Sequence, residues 1–291
     1  MKRTLLLLAL AAAAGAEDHP WSVVDAVLKR AGRGNSDGSW TVVLPRDDVV
    51  VKTGLGMDTP WELGLNSFAT FHGDAPEYSI VVGDTCMLAH EVQPAIDALR
   101  AGGLEIVALH NHMLTDEPRL FFMHFQGKGR AVDLAKAVRA AWDELGKPAP
   151  APAPLRKDGA PEVDWKRVGG ILEVAGASPR EGFCKFTRPR HRLQGRAIDD
   201  RPIGAGMGKA CWAAFYACPC GLTKVMGDTC VVREELQGAI DALRKGGLHV
   251  TGIHNHWLGT TPEVMFLHFE GEGDAQARAH AVRAAWKVLR K

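Results

Sequence analysis

The chain has 291 residues, with 35 Lys and Arg against 34 Asp and Glu for a formal net charge of +1, and 46% of its residues are hydrophobic. That balance excludes a disordered tail, a collagen and a coiled coil, and it offers no basic footprint for nucleic acid or for an anionic membrane surface. The length suits two ordinary domains, each able to bury its own core.

The first element is a leader. Lys2 and Arg3, an apolar run from Leu5 to Ala14 and the small residues Ala14-Gly15-Ala16 have the three-part layout of a secretory signal peptide spanning residues 1–16. The run is shorter than the roughly 20 residues a membrane-spanning helix needs, and no later stretch is apolar enough to cross a bilayer. The expectation is an exported chain, periplasmic or extracellular, soluble once the leader is removed. In such a compartment Cys86, Cys184, Cys211, Cys218, Cys220 and Cys230 can form disulfides, although spacing does not determine their connectivity. Cys218-Pro219-Cys220 places two of them too close for an easy mutual bridge.

After the leader, Val23, Val24, Ala26, Val27 and Leu28 predict a helix over 22–31, stopped by Gly32. Short strands are predicted at 41–44 and 48–53. A strand over 79–88 precedes a helix over 91–101, in which Val92, Ile96 and Leu99 fall at helical spacing and Gly102-Gly103 ends the run. A strand over 104–114, a turn around 115–118, a strand over 120–126 and a helix over 131–145 complete the unit. A Pro-Ala-rich spacer follows at 147–162 and favours extended polyproline II backbone.

The remainder repeats this unit. Trp21 aligns with Trp165, Asp84 with Asp228, His110 with His254 and Trp142 with Trp286, a constant offset of 144 (165 minus 21). More than half of the positions from Gly83 to Gly146 are identical to their counterparts, so the chain is a tandem duplication with repeats at 17–146 and 163–291. The β-α-β-β-α order of the better-preserved part predicts an α+β fold: two tandem homologous domains, each a mainly antiparallel sheet with helices on one face, in the split βαβ, ferredoxin-like order. The two repeats are expected to pack on each other about a pseudo-two-fold axis.

Chemistry concentrates in histidines. On a regular strand Leu104, Ile106, Ala108, His110 and His112 share one face. A hairpin centred on residue 117 would set His124 opposite His110, and the second copy repeats the set as His254, His256 and His268. Three neutral imidazoles from a two-stranded ribbon suit a zinc ion first and copper second, with a position open for water or substrate. The other reading makes them core or interface histidines satisfied by hydrogen bonds. Asp84 and Asp228, in the repeated Gly-Asp-Thr-Cys segment, have the chemistry of a further ligand, of an acceptor that orients a histidine, or of a general base beside metal-bound water. An aspartate at a strand turn is the plainer alternative. Glu91 and Glu235 also recur, but each begins a helix, where the dipole favours a carboxylate whatever its function. Cys86 and Cys230 read as small buried residues rather than ligands. Asn111 and Asn255 are placed to hold the hairpin turn.

These segments, Gly83-Asp-Thr-Cys86, Ala108-Leu-His-Asn-His112 and Met123-His-Phe-Gln-Gly-Lys-Gly129, resemble the LppY/LpqO family of secreted bacterial proteins, and the second copy matches through Ile253-His-Asn-His256 and Leu267-His-Phe-Glu-Gly-Glu-Gly273. The resemblance implies export and functional histidines without naming a reaction. It departs at Cys218-Pro-Cys220 and between Phe183 and Arg201.

Two classes of function follow. The first is an exported metal-binding protein with a three-histidine site in each repeat, acting as a zinc-dependent hydrolase or hydratase with Asp84 and Asp228 as bases, or else buffering or delivering metal. The second is a non-catalytic module that binds a small-molecule or cell-envelope ligand between the repeats, with structural histidines and with Trp212, Trp257 and Phe71 as exposed aromatic contacts.

Overall fold

The computed structural model describes residues 19–53, 57–58, 64–150, 159–180, 182–190, 193, 196–197, 201–202, 209–219 and 221–290. The predicted leader and Cys220 lie outside them.

The first repeat contains α1 (Ser22–Leu28), β1 (Arg33–Gly34), β2 (Trp40–Pro45), β3 (Lys52–Thr53), β4 (Met57–Asp58), β5 (Asn66–Ala75), β6 (Tyr78–Leu88), α2 (Val92–Ala101), β7 (Glu105–His110), β8 (Leu120–Gly129) and α3 (Ala131–Trp142). The second contains α4 (Trp165–Leu172), β9 (Gly176–Arg180), β10 (Phe183–Pro189), β11 (Arg196–Ala197), β12 (Arg201–Pro202), β13 (Ala210–Ala217), β14 (Thr223–Val232), α5 (Arg233–Lys245), β15 (His249–His254), β16 (Val264–Gly273) and α6 (Ala275–Val288). No helix among the described residues is long and apolar enough to cross a membrane.

The helices form where apolar residues recur at helical spacing. In α2 the buried residues are Val92, Ala95, Ile96 and Leu99, and in α5 they are Leu236, Ala239, Ile240 and Leu243 at the same spacing, together with Glu235. The first helix is shorter than expected because Lys29 takes a left-handed conformation (φ 55°) directly after Leu28, ending α1 before Gly32. The strand expected over 48–53 shrinks to Lys52–Thr53. The long β5, which the sequence reading missed, pairs with β6 along most of its length. Its mixture of Phe, Ala, Thr, His and Gly carries no clean alternation, so only pairing reveals it.

The expectation of two separate sheets is corrected. Among the described residues twelve strands form one sheet in the order β1-β2-β5-β6-β8-β7-β15-β16-β14-β13-β10-β9, and β7 and β15 join the repeats as an antiparallel pair. Each would be an exposed edge in an isolated repeat, and each removes the other's edge. Within a repeat β8 runs antiparallel between β6 and β7, so the strands flanking α2 are parallel with a third strand between them.

The helices cover one face of the sheet. Val81, Met87, Met123 and Phe125 point to that face and are buried with Ile96, Leu99 and Val138 in the main core. Phe71 also belongs to this core with no exposure, which corrects its reading as an exposed contact. On the opposite face Cys86, Leu120 and Phe122 pack with Val51 and Leu65 in a smaller apolar cluster. That second face carries the histidines.

Candidate metal centre

Regular alternation does not persist along β7. A bulge between Ile106 and Ala108 turns Leu104, Ile106 and Leu109 into the main core and leaves Ala108 and His110 on the opposite face. This corrects the expected face of five alternating residues, because the extra residue of a bulge shifts parity. The register differs too. His110 lies opposite Phe122 and Ala108 opposite His124, so the hairpin is centred on residue 116. Even so, the His110 and His124 rings stack diagonally, with centroids 4.9 Å apart and planes 13° apart. The second repeat reproduces this stack in His254 and His268, at 4.8 Å and 11°.

His112 lies beyond the end of β7, where its ring stacks on Phe122 with a centroid separation of 3.4 Å. Asn111 holds this turn by donating from Nδ2 to the Leu120 carbonyl at 2.7 Å, and Asn255 does the same to Val264 at 3.3 Å. Asp116 closes the loop from below by accepting from the Leu120 N–H, and Thr260 takes that role in the second copy.

Asp84 enters from the next strand but one. It lies opposite His124 in the β6–β8 ladder, is only 4% exposed, and has its Oδ2 3.7 Å from His112 Nε2. One ligand atom each from Asp84, His110 and His112 falls within 4.8 Å of the others, and Asp228, His254 and His256 form the same group in the second repeat. His124 and His268 stand beside these triads, His124 directly opposite Asp84 and His268 directly opposite Asp228. Each places Nδ1 on a carbonyl, Gly83 at 3.3 Å and Gly227 at 3.2 Å. A carbonyl only accepts, so in the neutral ring Nδ1 carries the proton and Nε2 keeps its lone pair.

Two observations bear on whether the triads suit a cation. Asp84 Oδ1, His110 Nδ1 and Asp228 Oδ1 are buried with no hydrogen-bond partner, an expensive arrangement unless something else neutralises them. Burial also pushes the imidazoles of His110, His112, His254 and His256 below their usual range, which keeps them in the neutral form that binds metals. Burial pushes the Asp228 carboxyl up, against the pull of the three neighbouring imidazoles.

Glu91 and Glu235 serve the scaffold. Glu91 Oε2 accepts from Arg46 Nη1 at 2.7 Å and from the Leu88 N–H at 2.7 Å, and its Oε1 accepts from the Gly146 N–H at 2.6 Å. Arg46 also donates to the Cys86 carbonyl at 2.8 Å, which pins the strand two residues beyond Asp84. Burial works against the Arg46 charge, but its bonds to Asp48 and Glu91 outweigh this and push its pKa up. Arg190, Glu235 and the Cys230 carbonyl repeat the network. The sequence held a signal for it, since Arg46 and Arg190 align where the surrounding residues have drifted. Cys86 and Cys230 are buried as expected. Cys86, Cys184, Cys211 and Cys230 are free thiols, and Cys218 is disulfide-bonded. Trp212 and Trp257 are half-buried.

Comparison with known proteins adds a family. No curated protein matches the chain. Among solved structures, the trimeric bacterial microcompartment shell protein PduB is similar at 15% identity and a TM-score of 0.19, covering 88% of this chain and 89% of that one. EtuB from Clostridium kluyveri is similar at 11% identity and a TM-score of 0.22, covering 88% of each chain. EutL from Clostridium perfringens is similar at 12% identity and a TM-score of 0.20, covering 72% of this chain and 79% of that one. A family model described as Domain of Unknown Function (DUF1259) matches residues 22–144 and again residues 166–288, each match enclosing one complete Asp-His-His triad. Through both of its repeats, the chain belongs to that family.

Proposed function

We propose that this is a metal-binding protein that holds one divalent transition ion in each repeat, through Asp84, His110 and His112 and through Asp228, His254 and His256. The observation that carries the reading is the repeated convergence of a buried, half-unpartnered carboxylate with two imidazoles within 4.8 Å. Two neutral nitrogens and one carboxylate oxygen suit zinc first and also match the donor set of non-haem Fe(II) sites; copper is the next candidate. Such an ion would act as a Lewis acid toward water or an anionic ligand.

Holding or delivering metal fits this arrangement better than hydrolysis. The residue expected to supply a hydrolase's base, Asp84 or Asp228, is in this reading a member of the donor set, so the base would have to come from His124 or His268, whose Nε2 is free beside each triad. His112 and His256 are 37% and 31% exposed at the side chain, which leaves each ion a path to solvent. The leader at residues 1–16 supports a periplasmic or extracellular setting for this role.

The test is elemental analysis for zinc, iron and copper on protein purified from an exporting host without chelators or a histidine tag. Two equivalents of one transition metal are expected per chain, falling to one in Asp84→Ala or His110→Ala and to none when Asp228→Ala is added. No metal as purified and none taken up on adding zinc, copper or Fe(II) would defeat the reading.

A further inference from the structure

Removal of the expected leader after Ala16 leaves a chain that starts Glu17-Asp18-His19-Pro20-Trp21. A histidine third from a free amino terminus is a distinctive set of donors. The Glu17 amine, the Asp18 and His19 amide nitrogens and His19 Nδ1 follow one another along the chain, so one ion can join all of them through small fused chelate rings. Nitrogens linked in this way lie in a square plane, the geometry that Cu(II) and Ni(II) favour and from which zinc gains nothing. Both amides carry the N–H that the ion has to replace, because Pro20 falls one position too late to remove either.

The fold orients His19. Its Nδ1 accepts from the Trp21 N–H at 3.1 Å, so Nδ1 keeps a lone pair and in the neutral ring the proton sits on Nε2, which faces Asp25 Oδ2 at 3.3 Å. A carboxylate behind the far nitrogen fixes the tautomer that presents Nδ1 to a metal. The ring stacks on Trp40 with centroids 4.0 Å apart, and Trp40 Nε1 donates to the same Asp25 at 2.8 Å. The second repeat has Val163, Gly169 and Cys184 where the first has His19, Asp25 and Trp40, so this arrangement belongs to the first copy alone.

We infer that the mature amino terminus is a Cu(II) site separate from both triads, formed by the Glu17 amine, the Asp18 and His19 amides and His19 Nδ1. Binding releases the two amide protons and one proton from the terminal ammonium, with no change in the oxidation state of the ion. The ion takes the Nδ1 lone pair that the Trp21 N–H otherwise holds. Cu(II) is the expected occupant ahead of Ni(II) because it stands higher in the order of divalent-ion affinities. The site rests on cleavage after Ala16 and not on the metal-binding reading of the triads.

The experiment titrates mature protein from an exporting host, its first residue established by mass spectrometry, with Cu(II) while visible absorption and tryptophan fluorescence are followed. One tight Cu(II) per chain is expected at this site, with the absorption of a four-nitrogen square plane and with quenching through the stacked Trp40; excess zinc should not displace it. Asp18→Pro removes one of the required N–H groups and leaves His19 in place, and His19→Ala removes the imidazole. Each should lose this equivalent and its quenching, whereas Asp84→Ala combined with Asp228→Ala should keep both. A mature chain that begins anywhere but Glu17, or a full copper complement in Asp18→Pro, would overturn the inference and leave the triads untouched. Copper kept in Asp18→Pro and lost in the Asp84→Ala, Asp228→Ala double variant would belong to the triads and overturn it equally.

Discussion

Leu109 of the first repeat pairs with Ile253 of the second, its own counterpart after the offset of 144, so the pseudo-two-fold axis passes between them. Everything around the axis is reciprocal. Gln93 donates from Nε2 to the Val250 carbonyl and accepts the Val250 N–H at Oε1, at 2.7 and 3.0 Å, and Gln237 treats Ile106 in the same way at 2.8 and 3.0 Å. Arg100 forks onto Asp241 and Arg244 onto Asp97. The two bulges that redirect β7 and β15 begin at Ile106 and Val250, so these glutamines satisfy backbone groups that the bulged ladders would otherwise leave open.

Gln93→Ala strands both backbone groups of Val250 and should lower stability by about 1–3 kcal/mol, as should Gln237→Ala at Ile106. The midpoint of urea denaturation measures this. Arg100→Ala should cost under about 1 kcal/mol, since its partner Asp241 is half exposed and the pair is screened by solvent. Equal costs for the glutamine and arginine variants would mean that backbone satisfaction does not hold the junction.

Breaking the buried Arg46–Glu91 pair should be far more damaging. The two side chains are 1% and 0% exposed, so Glu91→Ala leaves the buried guanidinium with only the 41%-exposed Asp48 as counter-charge, strands the Leu88 and Gly146 N–H groups, and should cost about 3–5 kcal/mol. The double variant Arg46→Met with Glu91→Leu removes both charges and should recover much of that loss in thermal melts. A double variant as unstable as the single one would show that the bonds to Cys86, Leu88 and Gly146 matter more than the charge pair.

Burial pushes the thiols of Cys86, Cys211 and Cys230 up to about 12. The reactive thiolate therefore appears only as pH rises toward that value, whereas an exposed cysteine ionises near 8.5. At pH 8 an alkylating reagent should leave all three unmodified in the folded protein and label them in denaturant. Mass spectrometry of native and unfolded samples decides this, and rapid native labelling of Cys86 would contradict its burial on the histidine face.

Gly83 precedes Asp84, and a Cβ there would collide with the Phe125 ring and the Phe68 carbonyl; Gly227 stands in the same relation to Phe269 and Trp212. Gly83→Ala should displace β6 against β8 and cost about 1–3 kcal/mol. It should also weaken metal binding in the first repeat only, read as a drop from two tight equivalents to one. Unchanged stability and stoichiometry would show that the ring moves aside freely.

Much of the site could be read from residues alone. The duplication singled out Asp84, His110, His112 and His124 with their partners, because these recur in the better-preserved part of both copies, and their chemistry pointed to a cation. The geometry among them could not be read. The sequence set His124 directly opposite His110, whereas the structure sets Phe122 there and brings Asp84 within 4.8 Å of His110 and His112. The cause is a single bulged residue at Ile106–Ala108, which shifts parity and register by amounts too small to leave a compositional trace.

What is local or repeated was legible in the chain alone: the two copies, the amphipathic helices, the strands flanking the histidines and the residue types at the site. Helical spacing and self-similarity are properties of the chain, and they need no partner to be visible. That the copies share one sheet, that β5 exists as a long strand and that both triads open onto the same face emerged with the fold. Those outcomes depend on which edges find each other and on where a bulge falls. They are settled by long-range pairing and by the need to satisfy buried backbone groups, as Gln93 and Gln237 do across the axis.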